Sequence, residues 1–331
     1  MVLITGATGL VGSHLAIYLL ENGENVRAIF REPISKEKTK SIFDLYKKSD
    51  FFSKIQWIQG DILDIPSLEH AFENIEYVYH CAAMISFDPN DELKLRKINI
   101  EGTANIVNFC LSKNVKKLCY VSSIAALGDL LPHETIITEQ TEWNPEKPHS
   151  DYAISKYGAE IEVFRAQQEG LNVVIVNPGV ILGPGFFENG SGEIFTKVKN
   201  GLKFYTNGTT GFVSVTDVVK IMFLLMKSNI QGERFIVVSE NITYKHLLEM
   251  ISNEYNVKKP SFRVTEWMST IAYKLDWIAC NIFLQKRRLS KDMARSLQSL
   301  DLYSNEKIKK VIQFDFEKVL ITIRKIINLQ N

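Results

Sequence analysis

The chain has 331 residues, with 39 lysines and arginines against 38 aspartates and glutamates, a formal net charge of +1. That balance gives no argument for nucleic acid or an acidic polymer as partner, and the length suits one large α/β unit or a nucleotide domain with a smaller substrate lobe. The four cysteines (Cys81, Cys110, Cys119, Cys280) form no CxxC pair and the six histidines no HExxH, so a reducing cytoplasm is expected and no metal site is assigned.

The first residues read MVLITGATGLVG. The apolar run Val2–Ile4 predicts a strand, and a helical stretch follows from Ser13 to Asn22. Between them Gly6, Gly9 and Gly12 form a glycine turn. Glycine permits φ > 0 and lets a diphosphate approach without meeting a Cβ, while the free N–H groups of a helix start attract negative charge. The apolar start lacks the cationic leader of a signal peptide.

Further along, Val26–Phe30, Ile55–Gln59, Tyr77–His80, Lys117–Ser122 and Asn172–Val176 read as strands. Lys36–Lys48, Ser67–Glu73, Leu93–Lys113 and Tyr152–Glu169 read as the intervening helices. This alternation predicts a Rossmann-type α/β fold, a doubly wound parallel sheet with ligands at the carboxyl ends of its strands. After Pro178 glycines and aromatics crowd the sequence, and the last third is mostly helical. We therefore expect a nucleotide domain over residues 1–178 and a substrate lobe over 179–331, with 212–238 returning to the first. Within that lobe, Trp267 to Leu284 predicts a buried or lid-forming helix. Lys274 and Asp276 interrupt it, so a membrane span is not expected; a surface-lying helix is the alternative, because Lys286, Arg287 and Arg288 follow.

Tyr152 and Lys156 form a YxxxK pair on a predicted helix, and residues four apart share a face. A free phenol titrates near pH ~10, and a neighbouring ammonium favours the phenolate, moving it towards acid–base work. Ser122 and Ser123 end the predicted fifth strand at the same edge of the sheet. Adjacent strand residues point to opposite faces, so one of the two lines the site.

At these motifs the chain resembles the extended short-chain dehydrogenase/reductases, in the dihydroflavonol 4-reductase-like and 3β-hydroxysteroid dehydrogenase-like branch. The likeness is carried by TGATGLVG, Gly60-Asp61, YHCAA, INIEGT, YVSSIAALG, YAISK, NPGVILGPG and GFVSVTDVV. It implies that Ser123 hydrogen-bonds the substrate oxygen, that Tyr152 protonates it, and that Lys156 binds the nicotinamide ribose and lowers the Tyr152 pKa. Asn99 would support the site from below. The cofactor would be held by Gly6, Thr8, Gly9, Leu10, Val11 and Gly12 of the turn, by Asp61 at the adenine amine and Ile62 on its ring, and by Ala82 and Ala83 beneath it. Pro178, Gly179 and Val180 join that set, while His80 reads as a packed strand residue. Arg31, at the end of strand two, stands where related reductases accept a 2′-phosphate, and Lys38 matches a second cation. NADP(H) is therefore expected over NAD(H), with the adjoining Glu32 as the discordant residue.

The expected substrate is a small apolar carbonyl compound or the matching alcohol. Its walls would come from Met84, Phe87, Phe186, Phe187 and Phe204, with Ile85, Phe195, Tyr205 and the Trp143 segment nearby. Two other uses of the fold compete. A nucleotide-sugar epimerase or dehydratase usually carries RPxxVYGPG and, in dehydratases, an acidic pair after the serines; here stand Asn177-Pro178-Gly179 and Ile124-Ala125-Ala126. A non-catalytic dinucleotide sensor typically loses the Tyr–Lys pair, which this chain keeps. A monomer or homodimer is expected, located in the cytoplasm.

Overall fold

The computed structural model describes residues 1–188, 190–283 and 290–330, with side chains undescribed from 277 to 283. The N-terminal part alternates strand and helix: β1 (Val2–Thr5), α1 (Leu10–Glu21), β2 (Val26–Phe30), α2 (Pro33–Leu45), a short α3 (Ser49–Phe52), β3 (Gln56–Gln59), α4 (Ile65–Ala71) and β4 (Tyr77–His80). Next come α5 (Glu92–Arg96), α6 (Gly102–Ser112), β5 (Lys117–Val121), α7 (Asp151–Gln168) and β6 (Val173–Pro178). Apolar strands buried on both faces are what a parallel sheet under two helical layers requires. All five residues of β2 and of β5 are buried accordingly.

The chain then leaves for a second lobe through β7 (Val180–Leu182), α8 (Glu193–Lys199), β8 (Phe204–Tyr205) and β9 (Thr209–Ser214). It returns with α9 (Val215–Lys227) and β10 (Glu233–Val237), which pairs parallel with β6. The large sheet has seven strands in the order β10-β6-β5-β4-β1-β2-β3, and every pairing in it is parallel. The order reverses between β1 and β4, the switch point beside which ligands bind in doubly wound sheets. One face is covered by α1, α2 and α9 through Leu15, Leu19, Ile42, Val218 and Met222. The other is covered by α4, α6 and α7 through Leu68, Ile106, Ala159 and Val163.

The second lobe holds β11 (Glu240–Thr243), α10 (Tyr244–Glu254), β12 (Phe262–Arg263), α11 (Glu266–Phe283), α12 (Lys291–Ser296), α13 (Glu306–Ile312) and α14 (Val319–Asn328). Strands β11, β9 and β7 make a three-stranded sheet, and β8 pairs with β12. Phe195, Phe212, Leu247, Ile323 and Ile326 form the core of this lobe. Gly179 marks the passage between sheets, where an added Cβ would lie 2.3 Å from the Gly211 carbonyl oxygen, so only glycine lets the two backbones meet.

Two expectations are corrected. The predicted Leu93–Lys113 helix is interrupted by a π-helical turn over Lys97–Glu101. The helix at Trp267 forms but is not buried: Trp267, Ile271 and Leu275 are 65%, 48% and 59% exposed. The sequence predicts a buried or lid-forming helix; over its described side chains the structure excludes the first. Leu284 and Lys286–Arg288 lie outside the described residues, as does the Cys280 side chain. No described helix is long and apolar enough to cross a membrane.

Candidate active site

The glycine turn follows β1 directly. Gly6 has φ +70°, and a Cβ there would lie 2.6 Å from the Ala82 nitrogen. At Gly12 a Cβ would lie 2.3 Å from the Gly6 carbonyl oxygen, so these two glycines let β1, the β4 exit and α1 pack together. Gly9 differs, since its Cβ would meet little but the Gly6 oxygen at 3.5 Å and so would point into open space. It caps α1 without a side-chain hydrogen bond, leaving the first-turn N–H groups of Leu10, Val11 and Gly12 turned to that space. This cradle fits a dinucleotide diphosphate.

Arg31 and Lys38 are exposed, the first just beyond β2 and the second in α2. The Asp61 carboxylate accepts the Leu63 N–H at 2.9 Å, and Ile62 packs so closely on α6 that a Cβ at Gly102 would lie 2.5 Å from it. Ala82 and Ala83 follow β4. His80 bridges Thr5 (2.6 Å) and Thr103 (3.0 Å), fully buried and stacked on Tyr120. Burial draws its pKa down to about 3, so it is neutral and structural.

Ser150 caps α7 by accepting the Ala153 N–H, which fixes where the helix begins and so where Tyr152 and Lys156 stand. The Ser123 hydroxyl caps the short turn Ile124–Ala126 by accepting the Ala125 N–H at 3.1 Å, which leaves its own proton free to donate. It faces the Tyr152 phenol and draws that pKa down, against a larger upward push from burial. Lys156 is fully buried, its ammonium 2.8 Å from the Val121 carbonyl and 4.5 Å from the Tyr120 ring centre. Burial lowers its pKa to about 7, with Glu160 and Cys81 pulling it back up.

Asn99 sits in the π-helical turn, buried, with both amide protons and its oxygen engaged by neighbours. It donates to the Met84 carbonyl (2.9 Å) and to Ser155 Oγ (2.8 Å) and accepts the Met84 N–H (2.7 Å). One side chain thereby ties the segment after β4 to α7, between Tyr152 and Lys156.

The aromatic candidates divide. Phe87, 41% exposed, has its ring 5.9 Å from that of Tyr152. Phe204 is exposed beside Phe262 at 6.0 Å. Phe186 packs against the large core, Phe187 against the core of the second lobe, and Phe195 is fully buried in the latter with no face left for a ligand. Trp143 stacks between His149 (3.8 Å) and Tyr157 (4.3 Å) and lines a separate cavity of about 510 Å³ with Glu160, Phe164 and Arg234. Pro178 ends β6, Gly179 passes between sheets and Val180 opens β7. The described residues contain no cluster that would hold a metal ion.

The sequence profile of the NAD dependent epimerase/dehydratase family matches residues 2–238, and the chain belongs to that family. It is an NAD(P)-dependent enzyme of the extended short-chain dehydrogenase/reductase type, built for oxidoreduction. It is 29% identical over 264 residues to the sterol demethylase protein B of Methylococcus capsulatus, covering 79% of this chain and 76% of that protein. It is also 29% identical over 272 residues to a putative dihydroflavonol 4-reductase of Synechocystis, covering 80% and 75% of the two chains. The crystal structure of gox2253 superposes with a TM-score of 0.82 at 27% identity, covering 99% of this chain and 97% of that one.

Proposed function

We propose that the chain is an NADP(H)-dependent reductase of the carbonyl group of a small apolar compound, running in reverse as an alcohol dehydrogenase. The observation that carries this reading is the meeting of Ser123 and the Tyr152 phenol beside the half-exposed Phe87 ring, one helical turn from Lys156. A bound nicotinamide supplies the hydride for the carbonyl carbon. Negative charge then grows on the carbonyl oxygen and needs a donor already in position. Ser123 donates a hydrogen bond to that oxygen, and Tyr152 delivers the proton. Lys156 holds the nicotinamide ribose and adds positive potential behind the phenol. Arg31, with Lys38 near it, takes the 2′-phosphate as a charge-assisted pair. The names of the reductase relatives support a small organic carbonyl substrate, and the half-exposed Phe87 ring beside Tyr152 supports an apolar one.

The test is a screen of NADPH and NADH oxidation by the purified protein with aldehydes, ketosteroids, flavanonols and nucleotide sugars. Turnover of an apolar carbonyl compound with NADPH is expected. Activity confined to nucleotide sugars, with tightly retained NAD, would overturn the proposal in favour of an epimerase or dehydratase.

A further inference from the structure

Glu160 is a carboxylate where a carboxylate is costly. It lies one turn beyond Lys156 on α7, is 2% exposed, and has burial pushing its pKa upward. Such a group is retained only where its surroundings hold it. Two strands of the large sheet and the residue that follows a third converge on it. Its Oε1 accepts from Asn177 Nδ2 of β6 at 2.5 Å, and its Oε2 lies 3.2 Å from Arg234 Nη1 of β10. The Ser122 hydroxyl, just past β5, faces it, outside ordinary hydrogen-bond geometry. The same Asn177 Nδ2 donates to the Ser123 carbonyl at 3.0 Å, so the carboxylate is one hydrogen bond removed from that serine. Arg234 is itself fixed, by Nε and Nη2 donating to the Glu139 carbonyl at 2.9 and 2.6 Å.

We propose that Glu160 is a positioning residue of the reaction, the buried counter-charge of the Lys156 ammonium and, through Asn177, the clamp on Ser123. This rests on the roles given above to Lys156 and Ser123. The ammonium bonds the Val121 carbonyl rather than Glu160 itself, so the coupling is one of charge between buried groups, screened less than in water although Glu160 also borders the Trp143 cavity. Around Lys156 the other groups are the Tyr120 ring and phenol of β5 and, at the end of β4, neutral His80 and Cys81. None of these carries a negative charge at neutral pH, because burial raises the Tyr120 phenol and the Cys81 thiol. Glu160 is therefore the charged group that opposes loss of the proton from Lys156, beside the hydrogen bond to the Val121 carbonyl. Arg234 favours the charged carboxylate from the far side, against the upward push of burial. A neutral Lys156 would lose its hold on a ribose and its influence on Tyr152.

The experiment follows lysine ionisation by NMR in protein labelled with 13C at lysine Cε, the Lys156 signal being assigned from its absence in Lys156→Met. Glu160→Gln should lower the Lys156 midpoint by about one pH unit or more, while Glu160→Asp keeps it near wild type. With a substrate found by the screen, the alkaline limb of kcat for reduction should move to lower pH in Glu160→Gln by the same amount. Thermal melts identify any variant that fails to fold, and the Asp variant then carries the comparison. A midpoint unmoved in folded Glu160→Gln overturns the proposal, as does a kcat lowered equally at every pH. The NMR midpoint needs no substrate, so a protein without reductase activity would sink the functional reading and leave this result standing.

Discussion

The smallest scale on which this protein can be tested is a single oxygen atom. Tyr152→Phe removes the hydroxyl that hands over the proton and leaves the ring beside Phe87. Turnover should fall by ~10²–10⁴-fold while the cofactor dissociation constant stays near wild type. Retention of more than about a tenth of the rate, measured by NADPH absorbance, would mean that another group protonates the product. Arg31 is tested by binding alone. Arg31→Ala should weaken NADPH by about 10-fold to 150-fold, the value of one hydrogen-bonded charge pair, and leave NADH nearly unchanged. Fluorescence titration of both cofactors into both proteins decides it; equal affinities in the wild type would hand the loop to Glu32. These residues were legible because their chemistry fixes their spacing. Glu160 was not: a glutamate four residues past a lysine on a helix reads as a solvated pair, and only the arrival of β6 and β10 above it makes it buried.

At the scale of elements, the strands and most helices could be read from apolar runs and their caps. β2 and β4 have the bounds the sequence suggests, because each is a short run dominated by Val, Ile, Phe and Tyr. The break in the Leu93–Lys113 helix had no such signal. Its π-helical turn serves one tertiary need, carrying Asn99 to Met84 and Ser155, and nothing in the local pattern announces it. The outward face of α11 was equally hidden, since hydrophobic period reports a face without saying what meets it. Asn99→Ala should orphan buried groups on Met84 and Ser155, lowering unfolding free energy by about 1–3 kcal/mol. It should also reduce kcat more than it weakens cofactor binding. Urea titration and steady-state kinetics test both; a stable, fully active variant would show that the turn needs no tie.

Across the whole molecule the two buried histidines make a distinct contribution to acid stability. Burial draws His14 to about 4 and His80 to about 3, against 6.5 for the free side chain. Between pH 6.5 and about 4 the unfolded chain therefore takes up protons that the native one refuses. The contribution of these two histidines is complete above pH 6.5 and is lost as the pH falls through this window, by about 1.4 kcal/mol per pH unit for each. His14→Phe should keep the edge-on contact with Tyr46, remove a buried nitrogen that has no partner, and shallow that slope by one histidine's share. Urea midpoints at several pH values measure it, and an unchanged slope would reject the assignment.

The chain passes between its two lobes at Gly179, again at Ser214–Val215, and once more between β10 and β11. It goes back a last time through α13, which packs on β10, before α14 closes the second lobe against β9 and α10. No single cut releases the part that would meet a substrate. A transplant of specificity from a relative cannot be made by exchanging one contiguous piece of gene, because each junction would sever a strand from its sheet. Change here has to come by small steps, residue by residue or loop by loop, around a nucleotide site that the same threading keeps fixed.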